Sequence, residues 1–331
     1  MVSLVTGASG FLGGHVVEAL CKQGERVVVL ARKTSNISAV RHLPIEVRYG
    51  DLTDLASVKE AARDVDRIYH CAGAVRYVVP YEELYSANVR TTKNVVAAAA
   101  EAGAGMIVHA SSQGVSGPQG LIDPNDDSGY SASLKEKYCR SKTEAEIEFF
   151  RDCAKSGIMG VALRPGVIYG PRDRIASLYW FRTVESGKVA FIGDGNSAFP
   201  LVYIDDLVKA FLAAGKKEGV AGKAYILDGP ERVTLRMVYE EIAENLNKDI
   251  LPSYVTYRFA HAFARLAELR SALGGYRKEP GLSRFVVELF GKDHARPDIS
   301  LARKELGFDP STGLEEGIRR TTEWYRQLSV S

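Results

Sequence analysis

A tyrosine and a lysine lie four residues apart, at Tyr138 and Lys142, in a stretch whose pattern predicts a helix. Side chains at i and i+4 share one face of a helix, so the phenol and the ammonium would point into the same space. A free tyrosine has a pKa of roughly 10, and a nearby fixed cation lowers that pKa because it favours the phenolate. The pair could serve as a tunable acid or base. The alternative is a solvated helix in which the lysine stem covers the aromatic ring.

Three glycines, Gly7, Gly10 and Gly13, lie between a β-prone run at 2–6 and a helical pattern that extends to Leu20. In such a unit, the first glycine permits a sharp turn, the second lets backbone N–H groups approach a pyrophosphate, and the third lets the helix pack closely on the sheet. The spacing Gly-x-x-Gly-x-x-Gly differs from the Gly-x-Gly-x-x-Gly form. We therefore predict a dinucleotide-binding turn of a variant type.

The second predicted strand, at 26–31, is followed by Arg32 and Lys33 and not by an acidic residue. An acid there would accept hydrogen bonds from an adenosine 2′-hydroxyl, whereas an arginine can bind a 2′-phosphate. The pattern favours NADP over NAD, with NAD still possible. If these are ordinary surface cations, the cofactor preference stays open.

Polar residues also follow later strands, where the carboxyl edge of a parallel sheet forms a crevice. Asp51 would meet an adenine amino group, unless it caps the next helix, a role for which Asp54 competes. Ser111 and Ser112 end another strand, and a serine hydroxyl there can polarise a carbonyl, with a simple turn as the alternative. Asn88, on the sheet side of a predicted helix at 82–103, is a candidate relay residue or a buried amide with local hydrogen bonds.

Composition limits the class of protein. The 331 residues are 46% hydrophobic and carry a net charge of +2 with the basic residues spread along the chain, which argues against a nucleic-acid partner. No run of 18 apolar residues exists, which excludes a spanning helix. The first strand begins almost at Met1, so we expect no secretory signal and a cytoplasmic location. The four cysteines lack metal-ligand spacing, and we expect no metal.

Strand and helix patterns alternate through six units up to about residue 171. This alternation predicts an α/β fold with a doubly wound parallel sheet. Residues 172–196 and 230–331 interrupt the pattern and are expected to form a smaller, mostly helical C-terminal lobe that binds substrate. Residues 197–229 are expected to return to the first domain, at 1–171.

Together the motifs resemble the extended short-chain dehydrogenase/reductase superfamily over essentially the whole chain. They are TGASGFLG at 6–13, GDL at 50–52, HCAG at 70–73, SS at 111–112, YCRSK at 138–142, RPG at 164–166, YGP at 169–171, LVYIDD at 201–206, LGFDP at 306–310 and WY at 324–325. The resemblance implies a Rossmann-type fold and an NAD(P)-dependent enzyme whose nicotinamide supplies the hydride while the protein positions it and handles the proton.

The resemblance implies a catalytic role for Tyr138 as the proton donor or acceptor, for Lys142 as its pKa modifier and ribose ligand, and for Ser112 as the anchor of the substrate oxygen. Ser112 is preferred to Ser111 because of its place relative to residues 115 and 117. The family usually has a tyrosine just before the glycine that corresponds to Gly117. This chain has Ser116 there, which alters part of the substrate-side wall.

The expected contacts with the cofactor run along the carboxyl edge of the sheet. Pro165, Gly166 and Val167 should supply backbone contacts to the nicotinamide carboxamide. The full set of predicted cofactor-binding residues is Gly7, Ser9, Gly10, Phe11, Leu12, Gly13, Arg32, Asp51, Leu52, Cys71, Ala72, Gly73, Tyr138, Lys142, Pro165, Gly166 and Val167.

Within the superfamily, the region 278–293 is most similar to the dihydroflavonol 4-reductase and 3β-hydroxysteroid dehydrogenase branch, which includes sterol and β-ketoacid-derived ketone reductases. This favours an NADP-preferring reductase or alcohol dehydrogenase with an apolar ketone or alcohol as substrate, either a monomer or a homodimer. Arg296 lies where sugar-nucleotide enzymes place a pyrophosphate-binding arginine, which keeps an epimerase or dehydratase as the alternative. A non-catalytic dinucleotide sensor is a third hypothesis, and the complete Ser-Tyr-Lys set argues against it.

In the predicted lobe, Phe259, Phe263, Leu266 and Leu273 fall on one face of a helix at 256–273. The favoured interpretation is that this stripe is buried against the lobe. The alternatives are a mobile lid over an apolar substrate and a helix that lies on a membrane surface.

Overall fold

The computed structural model of the chain describes residues 1–116 and 136–328. Within these residues the strands are β1 (Val2–Thr6), β2 (Arg26–Ala31), β3 (Ile45–Tyr49), β4 (Arg67–His70), β5 (Met106–Ala110), β6 (Met159–Pro165), β7 (Val167–Tyr169), β8 (Ala190–Ile192), β9 (Ala198–Phe199), β10 (Leu201–Tyr203), β11 (Ala224–Leu227), β12 (Val233–Thr234) and β13 (Ser253–Val255).

The helices in the same ranges are α1 (Phe11–Lys22), α2 (Leu55–Ala61), α3 (Tyr81–Leu84), α4 (Thr91–Ala102), α5 (Lys137–Ser156), α6 (Ala176–Glu185), α7 (Ile204–Ala214), α8 (Leu235–Leu246), α9 (Tyr257–Leu273), α10 (Arg284–Gly291), α11 (Ser300–Leu306) and α12 (Leu314–Leu328). A π-helical turn at Tyr85–Arg90 joins α3 to α4, and a 3-10 turn at Gln113–Ser116 follows β5.

One parallel sheet of seven strands dominates the fold, in the order β11-β6-β5-β4-β1-β2-β3. β1 pairs with β2 on one side and with β4 on the other, so the direction of winding reverses at β1. In open α/β sheets, ligands bind in the crevice that opens outside the carboxyl ends of the strands at this switch point. The predicted α/β fold with a doubly wound parallel sheet is confirmed.

The strands are apolar because helices cover both faces of the sheet. Successive side chains of a strand point to opposite faces, and the core accordingly divides into two clusters. Val5 and Val29 belong to the cluster that contains α1, whereas their neighbours Leu4 and Val28 belong to the cluster that contains α2 and α4. The two cores hold the carboxyl edge of the sheet in one rigid frame.

The C-terminal part of the chain forms the predicted smaller and mostly helical lobe. Its strands make only two-stranded pieces, such as β8 with β13, on which α9 and α10 pack. Between the lobe segments, β11 joins the large sheet beside β6, and α7 packs on α1. The residue boundaries given above for the two domains stay a prediction.

The favoured interpretation of the α9 stripe is wrong. Phe259, Phe263, Leu266 and Leu273 are exposed, and the inward face of the helix carries Ala260 and Ala264 instead. The lobe packs so closely beneath α9 that small side chains occupy the contact, and the bulky ones are left outside. None of the helices described has both the length and the apolar composition needed to cross a bilayer.

Candidate active site

The glycine turn between β1 and α1 is shaped by close backbone approaches. Gly7 has φ +73°, and a Cβ there would lie 2.7 Å from the amide nitrogen of Ala72, while a Cβ on Gly13 would lie 2.3 Å from the carbonyl oxygen of Gly7. Gly10 is the N-cap of α1, and within residues 1–116 and 136–328 no side chain accepts from the first N–H groups of the helix. These groups are available to an anion. The turn therefore fits a dinucleotide pyrophosphate.

The other predicted residues of the glycine turn differ in their exposure. Ser9 is exposed at the tip of the turn, Phe11 is half-buried, and Leu12 is buried in the core. The turn is thus anchored by Leu12 while Ser9 stays accessible.

Arg32 and Asp51 lie at the ends of the neighbouring strands β2 and β3. Arg32 is exposed, and its charge contributes to lowering the pKa of Asp51, although hydrogen bonds from Thr53 contribute more. Thr53 donates to Asp51 Oδ1 from its amide and its hydroxyl, at 2.8 and 2.7 Å. Asp54, and not Asp51, caps α2. Leu52 is half-buried beside them, so this end of the crevice combines a cation with a partly apolar wall.

The end of β4 brings three predicted groups together. Cys71 and Ala72 are half-buried and Gly73 is exposed, and burial raises the pKa of the Cys71 thiol to about 12. A Cβ on Gly73 would lie 3.1 Å from Asn88 Oδ1 and 3.9 Å from Lys142 Nζ. The small residues predicted at this strand end therefore border both polar side chains.

The N-terminus of α5 positions Tyr138. Glu136 is the N-cap, and its Oε2 accepts from the amides of Tyr138 and Cys139 at 2.7 and 3.1 Å. One turn further, Lys142 Nζ donates to the carbonyl oxygen of Ala110 at 2.6 Å. The buried ammonium thus attaches α5 to the end of β5. Glutamate is not among the favoured N-cap residues, so this cap was not predicted.

Burial dominates the ionisation of the two groups. It raises the pKa of Tyr138 to about 12, against the opposing effect of the nearby Ser112 hydroxyl, and it lowers the pKa of Lys142 to about 8, against the charge of Glu146. The expectation of a lowered phenol pKa is wrong for the chain alone, because the ammonium is directed to Ala110 and burial outweighs the other effects. Tyr138 therefore holds its proton at neutral pH.

The two adjacent serines point in different directions. Ser111 donates its hydroxyl to Glu146 inside the core. Ser112 Oγ accepts from the amide of Gly114 at 3.0 Å, and a Cβ on Gly114 would lie 3.2 Å from that Oγ and 3.6 Å from Cε1 of the Tyr138 ring. The structure thus brings Ser112, and not Ser111, to the phenol. Residue 117, used in that choice, lies outside the described residues, and the effect of Ser116 on the pocket wall stays a prediction.

A buried ion pair lies behind the serines. Glu146 is fully buried and accepts from Arg164 at the end of β6 as well as from Ser111. It follows Lys142 by one helical turn, so the carboxylate and the ammonium act on each other within α5. The sequence analysis did not identify this pair. A glutamate four residues after Lys142 and an arginine in an apolar strand were the available signals.

Asn88 lies inside the π-helical turn. Its Nδ2 donates to Ser141 Oγ at 2.9 Å and to the carbonyl oxygen of Ala74, and its Oδ1 accepts from the amide of Ala74 at 2.7 Å. Ser141 in turn donates to the carbonyl oxygen of Tyr138 at 2.7 Å. Asn88 therefore connects the loop after β4 to the backbone of Tyr138 and not to its hydroxyl.

The segment expected at the nicotinamide end uses its amides within the protein. Gly166 donates to the carbonyl oxygen of Leu227 at 3.2 Å, and Val167 donates to that of Pro200 at 3.0 Å. Pro165 has no N–H. Contacts from this segment to a nicotinamide would therefore depend on carbonyl groups and side chains.

Two aromatic rings that were not identified from the sequence cover the phenol of Tyr138. Tyr77 stacks on Phe285 of α10 with ring centroids 4.3 Å apart, and Tyr138 meets both rings edge to face at 5.6 and 6.1 Å. Glu279 accepts from the amides of Tyr77 and Val78 at 2.7 and 3.1 Å. The lobe is therefore attached to the loop after β4, and the space above Tyr138 is apolar.

Two buried histidines lie beneath the site. His70 bonds to Thr6 at 2.8 Å and to Thr92 at 3.1 Å, and it stacks on His109. Neither ring nitrogen of His109 has a hydrogen-bond partner among the residues described. Burial lowers the pKa of His70 to about 3 and also lowers that of His109, with the charge of Lys142 acting in the same direction. Both rings are therefore neutral in the folded protein.

These histidines should make the protein less stable in acid. An unfolded histidine has a pKa of about 6.5, so below that pH the unfolded chain binds protons that the folded chain does not. Each ring then removes about 1.4 kcal/mol of stability per pH unit down to its folded pKa. We expect His109→Phe, which keeps a buried ring, to reduce the slope of unfolding free energy between pH 6 and pH 4 by about that amount. Urea denaturation over this range measures it.

The exposed His42 provides the matched control, and His42→Gln should leave the slope unchanged. An unchanged slope in His109→Phe would show that the buried ring is protonated in the folded protein.

Comparison with known proteins places the chain in a broad context. Residues 3–227 match the model of the NAD dependent epimerase/dehydratase family. The chain is 30% identical to sterol demethylase protein B of Methylococcus capsulatus (strain ATCC 33009 / NCIMB 11132 / Bath), over 100% of both chains. It is 28% identical to a 2-alkyl-3-oxoalkanoate reductase of Stenotrophomonas maltophilia (strain K279a), over 97% of this chain and 98% of the relative.

A solved structure agrees with the fold described above. UDP-glucuronic acid 4-epimerase from Bacillus cereus, in complex with UDP-glucuronic acid and NAD, superposes with a TM-score of 0.80 over 99% of this chain and 100% of that chain, at 20% identity. At that identity the likeness concerns the fold alone. Among the described residues, no group of three or more His, Cys, Asp or Glu side chains is arranged to bind a metal ion.

Proposed function

The chain belongs to the NAD dependent epimerase/dehydratase family, as its resemblance to the extended short-chain dehydrogenase/reductases predicted, and we propose that it is a ketone reductase or secondary alcohol dehydrogenase. The observation that carries the proposal is the phenol ring of Tyr138, which lies beside Ser112 next to Gly114 and is covered by the rings of Tyr77 and Phe285. A proton donor beside a hydroxyl group, under an apolar cover, suits the carbonyl of an apolar ketone.

In this proposal each residue of the site has one task. Ser112 holds the carbonyl oxygen, and Tyr138 donates its proton to that oxygen during reduction or accepts it in the reverse direction. Bound nicotinamide supplies or takes up the hydride. Lys142 adds positive charge at the end of β5, and Asn88 holds the backbone of Tyr138 through Ser141. A raised phenol pKa suits the reductive direction, because the proton is present at neutral pH.

We propose NADP as the preferred cofactor. The exposed guanidinium of Arg32 lies at the end of β2, next to β1 and its glycine turn, and no acid follows β2 in the sequence. A guanidinium can bind a phosphate through two hydrogen bonds. The names of the two relatives given above, an oxoalkanoate reductase and a sterol demethylase protein, support an apolar substrate for this chain. The cytoplasm remains our proposed location.

Arg296 keeps a nucleotide-sugar epimerase or dehydratase as the second candidate. Its guanidinium donates to the carbonyl oxygens of Gly229 and Pro230, just beyond the carboxyl end of β11. The side chain is exposed and could also reach a pyrophosphate. Such an enzyme would interconvert sugars without net consumption of cofactor.

The two candidates are separated by one assay of the purified protein. The absorbance of NADPH is followed with steroid, flavonoid and β-ketoacid-derived ketones, with NADH and UDP-sugars in parallel. We expect NADPH to be consumed with an apolar ketone. NADH should be consumed more slowly with the same ketone. Sugar interconversion without loss of NADPH would contradict the reductase and make Arg296 the next residue to test. Binding of NADPH without turnover of any substrate would favour a sensor.

A further inference from the structure

The outward face of α9 is apolar over its whole length. We use the name α9 outer face for Phe259, Phe263, Leu266, Leu269 and Leu273. These side chains are between 55% and 81% exposed. At 100° per residue they fall within one third of the helix circumference, so they form one continuous strip. A contiguous exposed apolar strip of this kind marks an interaction surface.

The opposite face of α9 holds the helix firmly in place. Ala260 and Ala264 pack on Val287 of α10, and Glu268 accepts from the amide and the guanidinium of Arg284, both at 2.7 Å. Thr256 caps the first turn through the amide of Phe259. The strip is therefore presented by a fixed helix and does not result from a loose segment.

Arginines border the α9 outer face. Arg258 and Arg265 lie along one edge of the strip and Arg270 lies along the other, and all three are exposed. None of them forms an ion pair with any residue in the described ranges, whereas Glu268, the one acid of α9, is paired with Arg284. The exposed rim of the helix is thus uniformly positive.

We propose that the α9 outer face docks the protein on the surface of an anionic phospholipid membrane. An interfacial helix lies in the plane of the bilayer surface with Phe and Leu buried roughly 5–10 Å deep and with basic residues at the level of the headgroups. The apolar strip and its arginine borders match both requirements. Anionic headgroups complement the unpaired arginines, and each added Lys or Arg strengthens attachment to such a surface.

A second copy of this chain does not complement the same surface. A two-fold interface brings the same patch together from both subunits. Arg258, Arg265 and Arg270 of the two copies would then face one another with no acid of the strip between them. Like charges directly opposed in an interface weaken it, so the charge pattern favours a lipid surface over self-association.

Docking would place the cover of the active site next to the bilayer. α9 packs on α10, and α10 carries Phe285 above Tyr138. The docking itself does not depend on the proposed reaction, since it is carried by exposed residues that do not contact Tyr138. It can therefore be tested by binding alone.

The test is flotation of the full-length protein with vesicles. Vesicles of phosphatidylcholine with phosphatidylglycerol are compared with vesicles of phosphatidylcholine only. We expect the protein to float with the anionic vesicles, and less so at high salt because screening weakens the arginine contacts. The double variant Phe263→Gln, Leu266→Gln should lower the partition coefficient by about tenfold or more. Arg258→Gln with Arg265→Gln should weaken binding to anionic vesicles only.

The double variant Ile175→Gln, Tyr179→Gln is the matched control, because these side chains are exposed to a similar extent at the start of α6. It should bind like the unchanged protein, and a thermal melt confirms that each variant is folded. Equal binding to both kinds of vesicle, equal loss in the control, or undiminished binding of the α9 variant would overturn the proposal. A dimer that forms without vesicles and disappears in the α9 variant would overturn it as well, and would assign the face to a second copy.

Discussion

Tyr138→Phe should reduce kcat/KM for an apolar ketone by a factor of about 10²–10⁴, the usual contribution of a well-placed general acid. The variant removes one oxygen atom and keeps the ring that packs against Tyr77 and Phe285. The fold and the binding of NADPH should therefore be retained. Steady-state rates with the best ketone from the panel, together with fluorescence titration of NADPH, measure the two effects separately.

Tyr77→Phe is the control for this experiment. Its ring lies 5.6 Å from that of Tyr138 and stacks on Phe285 in the same cover. Loss of the Tyr77 hydroxyl should leave turnover nearly unchanged, because the proposal assigns no proton transfer to it. If Tyr138→Phe kept the activity of the unchanged enzyme, Tyr138 would not be the proton donor. If both variants lost activity equally, the cover and not the proton would explain the loss.

Glu146→Gln should be among the most destabilising single substitutions in the chain. The fully buried carboxylate neutralises the largely buried Arg164, and breaking a buried pair by removal of one partner costs about 3–5 kcal/mol. Glutamine keeps the shape and can still accept from Ser111, so the loss reports on charge. The free energy of unfolding in urea measures it.

Glu101→Gln is the matched surface substitution, since Glu101 is exposed and pairs with the partly exposed Lys59. Exposed pairs contribute little to stability, so this variant should unfold like the original protein. Glu146→Gln has a second readout, because the carboxylate raises the pKa of Lys142. Its loss should move the alkaline limit of activity to lower pH. Equal stability of the two variants would show that Arg164 finds another anion.

The regular parts of the fold could be predicted because their signals are local. The ranges predicted for the first and second strands are those of β1 and β2, since each is an apolar run that ends at glycine or polar residues. Residues at strand ends also meet at the same edge of a parallel sheet, which placed Ser112 at the crevice. Its association with Tyr138, which lies on a helix, was implied only by the resemblance to the family.

The parts that could not be predicted depend on contacts between distant segments. Glu279 meets the amide of Tyr77 across 202 positions of the chain, and no spacing rule signals such a pair. The prediction that the apolar stripe of α9 is buried was wrong for the same reason. Periodicity shows that a helix has two faces, but only the packing of Ala260 and Ala264 decides which face is buried. The inversion of the Tyr138 pKa shift likewise follows from burial, which sequence spacing does not reveal.

The position of the Asn88 side-chain amide depends on the number of residues in the π-helical turn at Tyr85–Arg90. A π-helical turn contains about one residue more than an α-helical turn. The side-chain positions of α4 are therefore rotated relative to those of α3, and Asn88 lies in the turn between them. A lineage that lost one residue here would gain a regular helix but would turn the amide away from Ser141 and Ala74. Selection for that amide would therefore preserve an insertion that selection for helix stability alone would remove.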